Sequence, residues 1–408
     1  MADIKPDETT DFSGKARIEG SVNNARILIV DDMALMRQMI GMCLIRGGLE
    51  NIHYASDGDE ALTAIEENPP DLVVLDLNMP RVSGYEVCRK LRADERFKDL
   101  PILVQSASET PEERVEVFKA GATDFVSKPI NQPELQARVR MHLENRFLIT
   151  SLTDFMEGMK RELVLAREMQ ESLLPETITI SEMEEQCGIV IENYYQACFE
   201  LGGDLWGCWM LPEDKIGVFV LDISGHGVGA ALNTFRIHAT MARFKWSMQD
   251  PATFLTDLSR ALKPHFALGQ FATMFYYTLN YKTGDIVYAG AGAPRPMIVS
   301  DKSVRLLDST GMPIGIVKKP DYINHEDRLE KDETLFCYSD VLVEAVQPDG
   351  SFLGEDGLVK WVEKIVSSGE RKSLVSKLLW RFFDGQAESL PDDLTAVAVH
   401  RHGPDHDE

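Results

Sequence analysis

Residues 133–175 read PELQARVRMHLENRFLITSLTDFMEGMKRELVLAREMQESLLP. Gly158 is the only interior glycine, and no proline interrupts the run. Apolar residues recur at Leu148, Leu152, Phe155, Met159, Leu163, Ala166, Met169 and Leu173, in steps of three and four. Those steps place side chains on one face of a helix. Pro133 sits where a first helical turn tolerates proline, and Pro175 ends the run. A helix this long, polar on its outer faces, does not bury such a stripe by itself. It pairs with a copy of itself or lies on a domain. The spacing alone also fits an ordinary linker helix; the flanking sequence favours a dimerising rod that carries a signal between the domains at its two ends.

Working outward, 408 residues predict two or three domains, and 44% hydrophobic residues suffice for proper cores. A net charge of −24 argues against nucleic acid and anionic membrane surfaces as direct partners. Cys43, Cys88, Cys187, Cys198, Cys208 and Cys337 form no CxxC pair and sit mostly in apolar contexts, as reduced core thiols of a cytosolic protein do. The N-terminus, MADIKPDETTDFSGKARIEG, has no apolar centre and does not read as a signal peptide. No apolar run approaches the length needed to span a bilayer. Residues 1–24 and 401–408 are expected to be disordered.

Before the helix, short apolar runs alternate with helical patterns over 25–145. Strands are expected at Ile27–Val30, Ile52–Ala55, Leu72–Leu75, Ile102–Gln105 and Asp124–Val126, with helices between them. That alternation means a parallel, doubly wound sheet, which binds ligands at the carboxyl ends of its strands. Asp31 and Asp32 follow the first strand, Asp76 the third, Ser106 the fourth and Lys128 the fifth. A single carboxylate after a strand is usually a helix cap. Three acids, a hydroxyl and a lysine on one edge instead suit a hard cation and phosphoryl transfer to a carboxylate.

The order of the Asp31-Asp32 pair, LDLNMP around Asp76, Ser106 and Lys128-Pro129 resembles the response-regulator receiver family over this whole module. The resemblance implies that Asp76 is the phospho-acceptor and that Asp31, Asp32, Asp76 and the carbonyl of Asn78 hold Mg²⁺. It also implies that Lys128 contacts the phosphoryl group, and that Ser106 and Phe125 occupy the switch positions. A sensor histidine kinase or phosphotransfer protein would be the donor. Phe125 taken alone reads equally well as a core aromatic.

After the helix, strands and helices fall in separate runs over 176–400. Strands are expected at Ile189–Gln196, Ile216–Leu221, Thr273–Leu279, Ile286–Ala289, Met297–Ser300, Thr334–Tyr338 and Thr395–His400. Helices are expected at Val228–Trp246, Pro251–Leu268, Leu358–Val366 and Lys372–Phe383. This pattern suggests an antiparallel α+β sandwich. Asp204 sits in LGGDLW, Asp222 in VLDISGHG, Asp340 in CYSDVLVEA, and Asp392 and Asp393 in PDDLTAVAV. Aspartates at strand ends beside glycines such as Gly203 are costly without a cation. An all-oxygen set suits Mg²⁺ or Mn²⁺, and two such ions can aim a shared water at phosphorus. His226 reads as a base or, at least as readily, as a turn residue.

AREMQESLLP, LGGD, LDISGHGVGAAL, GMPIG, YSDVLVEA and DDLT resemble the metal-dependent type 2C protein serine/threonine phosphatases, in the bacterial branch that regulates sigma factors. The resemblance covers about 165–400. It implies that Asp222 bridges two Mn²⁺ or Mg²⁺ ions, that the Ile223 carbonyl binds one, and that Asp204, Asp340 and Asp392 complete the pair. Asp393 would be a neighbour, and the Gly225-His226-Gly227 corner would shape the site. Three positions depart from the family pattern. Gly207 stands at the second acid of GGDxxD, Val341 stands where glycine usually follows the third motif's aspartate, and NAGHNPP reads GAGAPRP over Gly290–Pro296.

The expected architecture is an α/β receiver with a five-stranded doubly wound parallel sheet, a long connecting helix or coiled coil, then an α+β antiparallel β-sandwich flanked by helices. The expected function is a cytoplasmic, parallel homodimeric response regulator in which phosphorylation of Asp76 controls a phosphoserine/phosphothreonine phosphatase acting on an anti-sigma-factor antagonist. A catalytically silent adaptor under receiver control is the alternative, kept open by Gly207 and Val341. A phosphatase of small molecules fits less well, because the sequence shows no basic cluster to grip the phosphate.

Overall fold

The computed structural model describes residues 20–106, 111–225, 227–347, 350–368, 373–384 and 390–402, in two compact units, Met1–Met159 and Lys160–Glu408. In the first, strands β1 Ile27–Val30, β2 Ile52–Ala55, β3 Leu72–Asp76, β4 Ile102–Ser106 and β5 Asp124–Ser127 pair in the order β2-β1-β3-β4-β5. Every pairing is parallel, with Ile27 opposite Leu72 and Val104 opposite Phe125. The β-branched runs of β1, β3 and β4 are buried throughout because helices cover both faces. Those helices are α1 Ala34–Arg46, α2 Gly58–Glu67, α3 Gly84–Ala93, α4 Pro111–Lys119 and the start of α5 Gln132–Glu171. Leu135, Val139 and Leu143 of α5 bury one face of the sheet together with Ile27, Ile29 and Val74.

Helix α5 is 40 residues long, about 60 Å at 1.5 Å per residue. The boundary between the two units falls inside it, after Met159. Leu148, Leu152, Phe155 and Met159 of the expected stripe are exposed, Phe155 by 66%. Ile149 and Met156 widen that stripe. Leu173 and Leu174, just past the helix, pack on the cores of the second unit.

The second unit stacks two antiparallel sheets. One runs β13 His325–Arg328, β10 Asp285–Ala291, β9 Ala272–Asn280, β8 Lys215–Ile223, β7 Leu205–Leu211. The other runs β12 Val304–Leu306, β11 Met297–Val299, β14 Thr334–Tyr338, β15 Leu394–Arg401, β6 Ile189–Gln196. Val218, Val220, Phe275, Tyr277, Cys337, Val397 and Val399 fill the space between them. Helices α7 Val228–Met241 and α8 Pro251–Leu262 cover the outer face of the first sheet. Helices α9 Gly354–Ser367 and α10 Leu374–Asp384 cover that of the second.

Several boundaries differ from expectation. Residues 20–23 form a helical turn, and Val22 is buried beside Ile27 and Ile29, so the ordered chain begins before 25; residues 1–19 lie outside the described residues. At the other end Arg401 closes β15, its guanidinium donating to the carbonyls of Leu329 at 2.9 Å and Lys282 at 2.5 Å. Residues 403–408 lie outside the described residues. The expected helix Val228–Trp246 gives way after Met241 to a 3₁₀ turn, Ala242–Phe244, and Pro251–Leu268 stops as a helix at Leu262, one residue before the Lys-Pro pair. Helix α6 Thr177–Cys187 and strands β7, β12 and β13 were not expected. No described helix is long and apolar enough to cross a membrane.

Candidate metal centres

Parallel strands bring their carboxyl ends to one edge, and in the first unit that edge gathers acids. Asp31 and Asp32 follow β1 and Asp76 ends β3; one carboxylate oxygen from each lies within 4.8 Å of the others. Lys128, just past β5, places Nζ 2.8 Å from Asp76 Oδ1 and 3.8 Å from Asp31 Oδ2. Its own N–H donates to the Ser106 carbonyl at 2.8 Å, which fixes the lysine beside the end of β4, and the Lys128–Pro129 bond is cis. Asp31 is fully buried; its Oδ1 accepts the Met33 N–H at 2.8 Å, while Oδ2 has no hydrogen-bond partner. Burial pushes the Asp31 carboxyl above its ordinary range, and the charge of Asp76 adds to this; the Met33 amide and Lys128 oppose it. Asn78 donates its N–H to Asp76 Oδ1 at 3.4 Å, within the turn that carries its carbonyl. Three carboxylates against one lysine, with a buried oxygen left unbonded, fit a hard cation such as Mg²⁺. Ser106 is buried at the end of β4. Phe125 is half-buried, edge-on to Phe118 at 6.0 Å with the Arg114 guanidinium 5.1 Å from its ring centre.

In the second unit the acids come from both sheets. Asp204 immediately precedes β7 and Asp222 lies near the end of β8; Asp340 opens a 3₁₀ turn after β14, and Asp392 and Asp393 lead into β15. They are close enough to oppose each other's ionisation. Burial pushes Asp222 up to about 7, and the charges of Asp340, Asp392 and Asp393 add to it. Burial, then Glu344 and Asp392, push Asp340 up to about 6. Asp204 is raised well above its ordinary value, by burial first and Asp222 second. Asp204 Oδ2 is buried with no hydrogen-bond partner. Among the described residues no Lys or Arg forms an ion pair with any of these five aspartates. Such a set fits divalent cations with oxygen preference. Cys198 lies beside Asp392 and Asp393, and burial and Asp393 push its thiol up to about 12.

Asp393 is used differently from its neighbours. Its carboxylate accepts the backbone N–H groups of Cys198 at 2.7 Å, of Gly203, and of Asp204 at 3.4 Å. It therefore pins the loop that carries Asp204. A side chain at Gly203 would put its Cβ 2.8 Å from the Ile223 carbonyl oxygen, so only glycine lets this loop close on β8. Thr234 of α7 donates to the Gly203 carbonyl at 3.1 Å. The same loop is gripped by the end of α5. Gln170, buried, donates from Nε2 to the Gly202 carbonyl at 2.6 Å and accepts the Gly202 N–H on Oε1 at 3.1 Å. Arg167 donates to the carbonyls of Glu200 at 2.7 Å and Phe199 at 2.9 Å. The sequence contained both residues inside AREMQESLLP, but their partners stand about thirty positions further on, beyond any helical spacing.

Two of the three departures have packing causes, and the third borders a cavity. Gly207 on β7 faces Phe219, and a Cβ there would lie 2.5 Å from the ring, so the large aromatic has replaced the acid's space. Val341 is buried among Val343, Leu353 and Phe336 in a 3₁₀ turn that needs no left-handed residue. Ala293, Pro294 and Pro296 line a small cavity together with Asp222, Thr273 and Ser339. His226 lies outside the described residues.

Residues 27–140 match the response regulator receiver domain family, and residues 212–402 match the family described as Stage II sporulation protein E (SpoIIE). Response regulator MprA of Mycobacterium sp. (strain KMS) is 47% identical over 115 residues, 28% of this chain and 49% of that protein. Transcriptional regulatory protein YvrH of Bacillus subtilis (strain 168) is 37% identical over 126 residues, 31% of this chain and 52% of that protein. The chain thus spans about half the length of the curated relatives it matches. The solved SiaA-PP2C domain of Pseudomonas aeruginosa is similar in fold, with a TM-score of 0.53 and 21% identity over 61% of this chain and 98% of that one.

Proposed function

We propose that this chain, whose residues 27–140 match the response regulator receiver family and whose residues 212–402 match the SpoIIE family, is a response regulator in which phosphorylation of Asp76 controls a PP2C-type, Mg²⁺- or Mn²⁺-dependent phosphoserine/phosphothreonine phosphatase. The observation that carries this reading is the uncompensated acid cluster, with Asp204 Oδ2 buried and unbonded and Asp222 raised to about 7. Cations held by Asp204, Asp222, the Ile223 carbonyl, Asp340 and Asp392 would neutralise phosphoryl oxygens and lower the pKa of an attacking water. The chain's own part is positional. Asp393 and Gln170 hold the Asp204 loop, Gly203 lets it reach Ile223, and Thr234 ties it to α7.

In the receiver, Asp76 takes the phosphoryl group from a histidine kinase or phosphotransfer protein. Lys128 Nζ, 2.8 Å from Asp76 Oδ1, meets the incoming charge, and Ser106 and Phe125 respond to it. Asp31, Asp32, Asp76 and the Asn78 carbonyl would hold Mg²⁺. The signal travels along α5, whose exposed Leu148, Leu152, Phe155 and Met159 pair with those of a second copy, in parallel. The far end of α5 reaches the Asp204 loop through Gln170 and Arg167. A phosphorylated anti-sigma-factor antagonist is the substrate that the family resemblance implies, and the site of action is the cytoplasm.

The test is hydrolysis of p-nitrophenyl phosphate with Mn²⁺ by wild type, by Asp222→Ala, and by protein carrying a phosphoryl mimic at Asp76. Metal-dependent turnover lost in Asp222→Ala is expected, and the mimic's effect gives the sign of control. Absence of turnover on this ester and on a phosphoserine protein would leave the adaptor reading. A monomeric mass with and without the mimic would remove the paired helix.

A further inference from the structure

The chain carries −24 overall, yet between residues 223 and 282 it has six Lys and Arg against two Asp. Four of the six, Arg236, Arg243, Lys245 and Lys263, have no ion-pair partner among the described residues. They lie on or beside α7, the helix that begins directly after Gly227 and five residues after the end of β8. The inner face of α7 packs Ala230, Ala231 and Thr234 against the site. Its outer face reads Val228, Leu232, Arg236 and Ala239, in steps of four, four and three, and Arg243 follows in the 3₁₀ turn that ends it; all are exposed, Leu232 by 60%. The stripe is apolar at the metal corner and basic beyond it.

The segment beside it extends the same surface. Arg236 donates to the His265 carbonyl at 3.0 Å, and the chain then runs through the fully exposed Leu268 to Phe271, which exchanges hydrogen bonds with Ser224 at 2.9 and 3.0 Å. One continuous face therefore leads from the residue after Ile223 to the basic end of α7.

We propose that this face docks the phosphoprotein substrate, and that the substrate is acidic around its phosphoresidue. The inference rests on the phosphatase reading above and names its substrate class. A phosphoryl dianion approaching a chain of net charge −24 is repelled at long range. Unpaired cations beside the site reverse that field locally, and Val228, Leu232 and Leu268 supply apolar contact once the partner has arrived. From Val228 to Met241 the helix advances about 20 Å, and Arg243 lies in the turn just beyond, so the stripe has the reach of about seven extended residues. Seven residues on one side of a phosphoserine thus cover the stripe.

The test uses the full chain and two fluorescein-labelled phosphoserine peptides of fifteen residues, one flanked by Glu and one by Lys, read by fluorescence anisotropy and by phosphate release. The net charge of the chain alone favours the Lys peptide. The expected result is the opposite, about tenfold tighter binding of the Glu peptide at low salt, with the preference shrinking at high salt. The pair Arg243→Glu and Lys245→Glu, residues without hydrogen bonds to the site loop, should cancel that preference. Equal binding of the two peptides, tighter binding of the Lys peptide, or a preference untouched by the variant overturns the proposal. Glu-peptide binding with no release from either peptide or from p-nitrophenyl phosphate would sustain the docking face and remove the phosphatase reading instead.

Discussion

The N-terminal acid cluster sets Lys128 Nζ 2.8 Å from Asp76, whereas the C-terminal cluster brings Asp204, Asp222, Asp340 and Asp392 together with no paired Lys or Arg among the described residues. Both clusters stand at strand ends, and both contain a fully buried aspartate oxygen without a hydrogen bond, on Asp31 and on Asp204. The difference is the internal cation. A lysine built into the first cluster offsets part of its charge without help from outside. The second cluster has no such internal partner among the described residues, so only protons or cations from outside can offset its mutual repulsion.

Removing the acid at the centre of the second cluster should have the largest effect. Asp222→Ala is expected to cut Mn²⁺-dependent ester hydrolysis by about a thousandfold or more, while Asp76 still accepts phosphate from a small-molecule donor. Loss of both activities would mean that the two clusters are not independent, and the comparison would fail. The next effect is in stability. Asp222 and Asp340 are raised in the folded protein, so the stability they allow is complete below their ordinary values near 4 and is lost as pH rises through about 6 and 7. Metal-free protein should therefore lose on the order of 3 kcal/mol between pH 5.5 and pH 8 in the unfolding of its C-terminal unit. Mn²⁺ should restore most of it at pH 8 and little at pH 5.5. Thermal melts that show no pH dependence in metal-free protein would contradict the uncompensated charge.

Restoring the family's second acid should do harm. Gly207→Asp drives a side chain into the Phe219 ring, and overpacking of this kind costs about 2 kcal/mol. A denaturant midpoint unchanged from wild type would show that the ring yields, and that the missing acid needs a different account.

The sequence made the acids of both clusters visible because each sits at the end of an apolar run, where strand ends converge in either kind of sheet. It also made the parallel sheet visible, because strands buried on both faces are apolar throughout. Strand β13, His325–Arg328, reads HEDR and was invisible, since an edge strand half-open to solvent carries charged residues. Helix α6, Thr177–Cys187, was hidden by its opening TITI, which favours strands until packing of Ile180, Met183 and Cys187 decides otherwise. Asp393 was readable only as a neighbour of Asp392, with no role of its own. Only the fold shows that its carboxylate is spent on the amides of Cys198, Gly203 and Asp204, about 190 residues earlier in the chain.

The two clusters also differ in what holds them, and Gln170 exposes this with the smallest effect. The receiver acids stand on their own strands, whereas the Asp204 loop depends on a side chain from α5 that closes both polar groups of Gly202. Gln170→Ala leaves that buried N–H and carbonyl unpaired, a loss of about 1–3 kcal/mol concentrated on the loop. A loop loosened in this way still presents Asp204 part of the time, so added metal can select the closed arrangement. The Mn²⁺ concentration for half-maximal hydrolysis should rise about tenfold, with excess Mn²⁺ recovering most of kcat. Gln170→Glu keeps an acceptor for the Gly202 N–H but sets a carboxylate against the Gly202 carbonyl, and should sit no closer to wild type than alanine does. Phosphorylation of Asp76 by a small donor should be unchanged in both variants. If hydrolysis falls while the Mn²⁺ dependence stays where it was, Gln170 only supports the fold, and the route from α5 to the metal site through this residue is wrong.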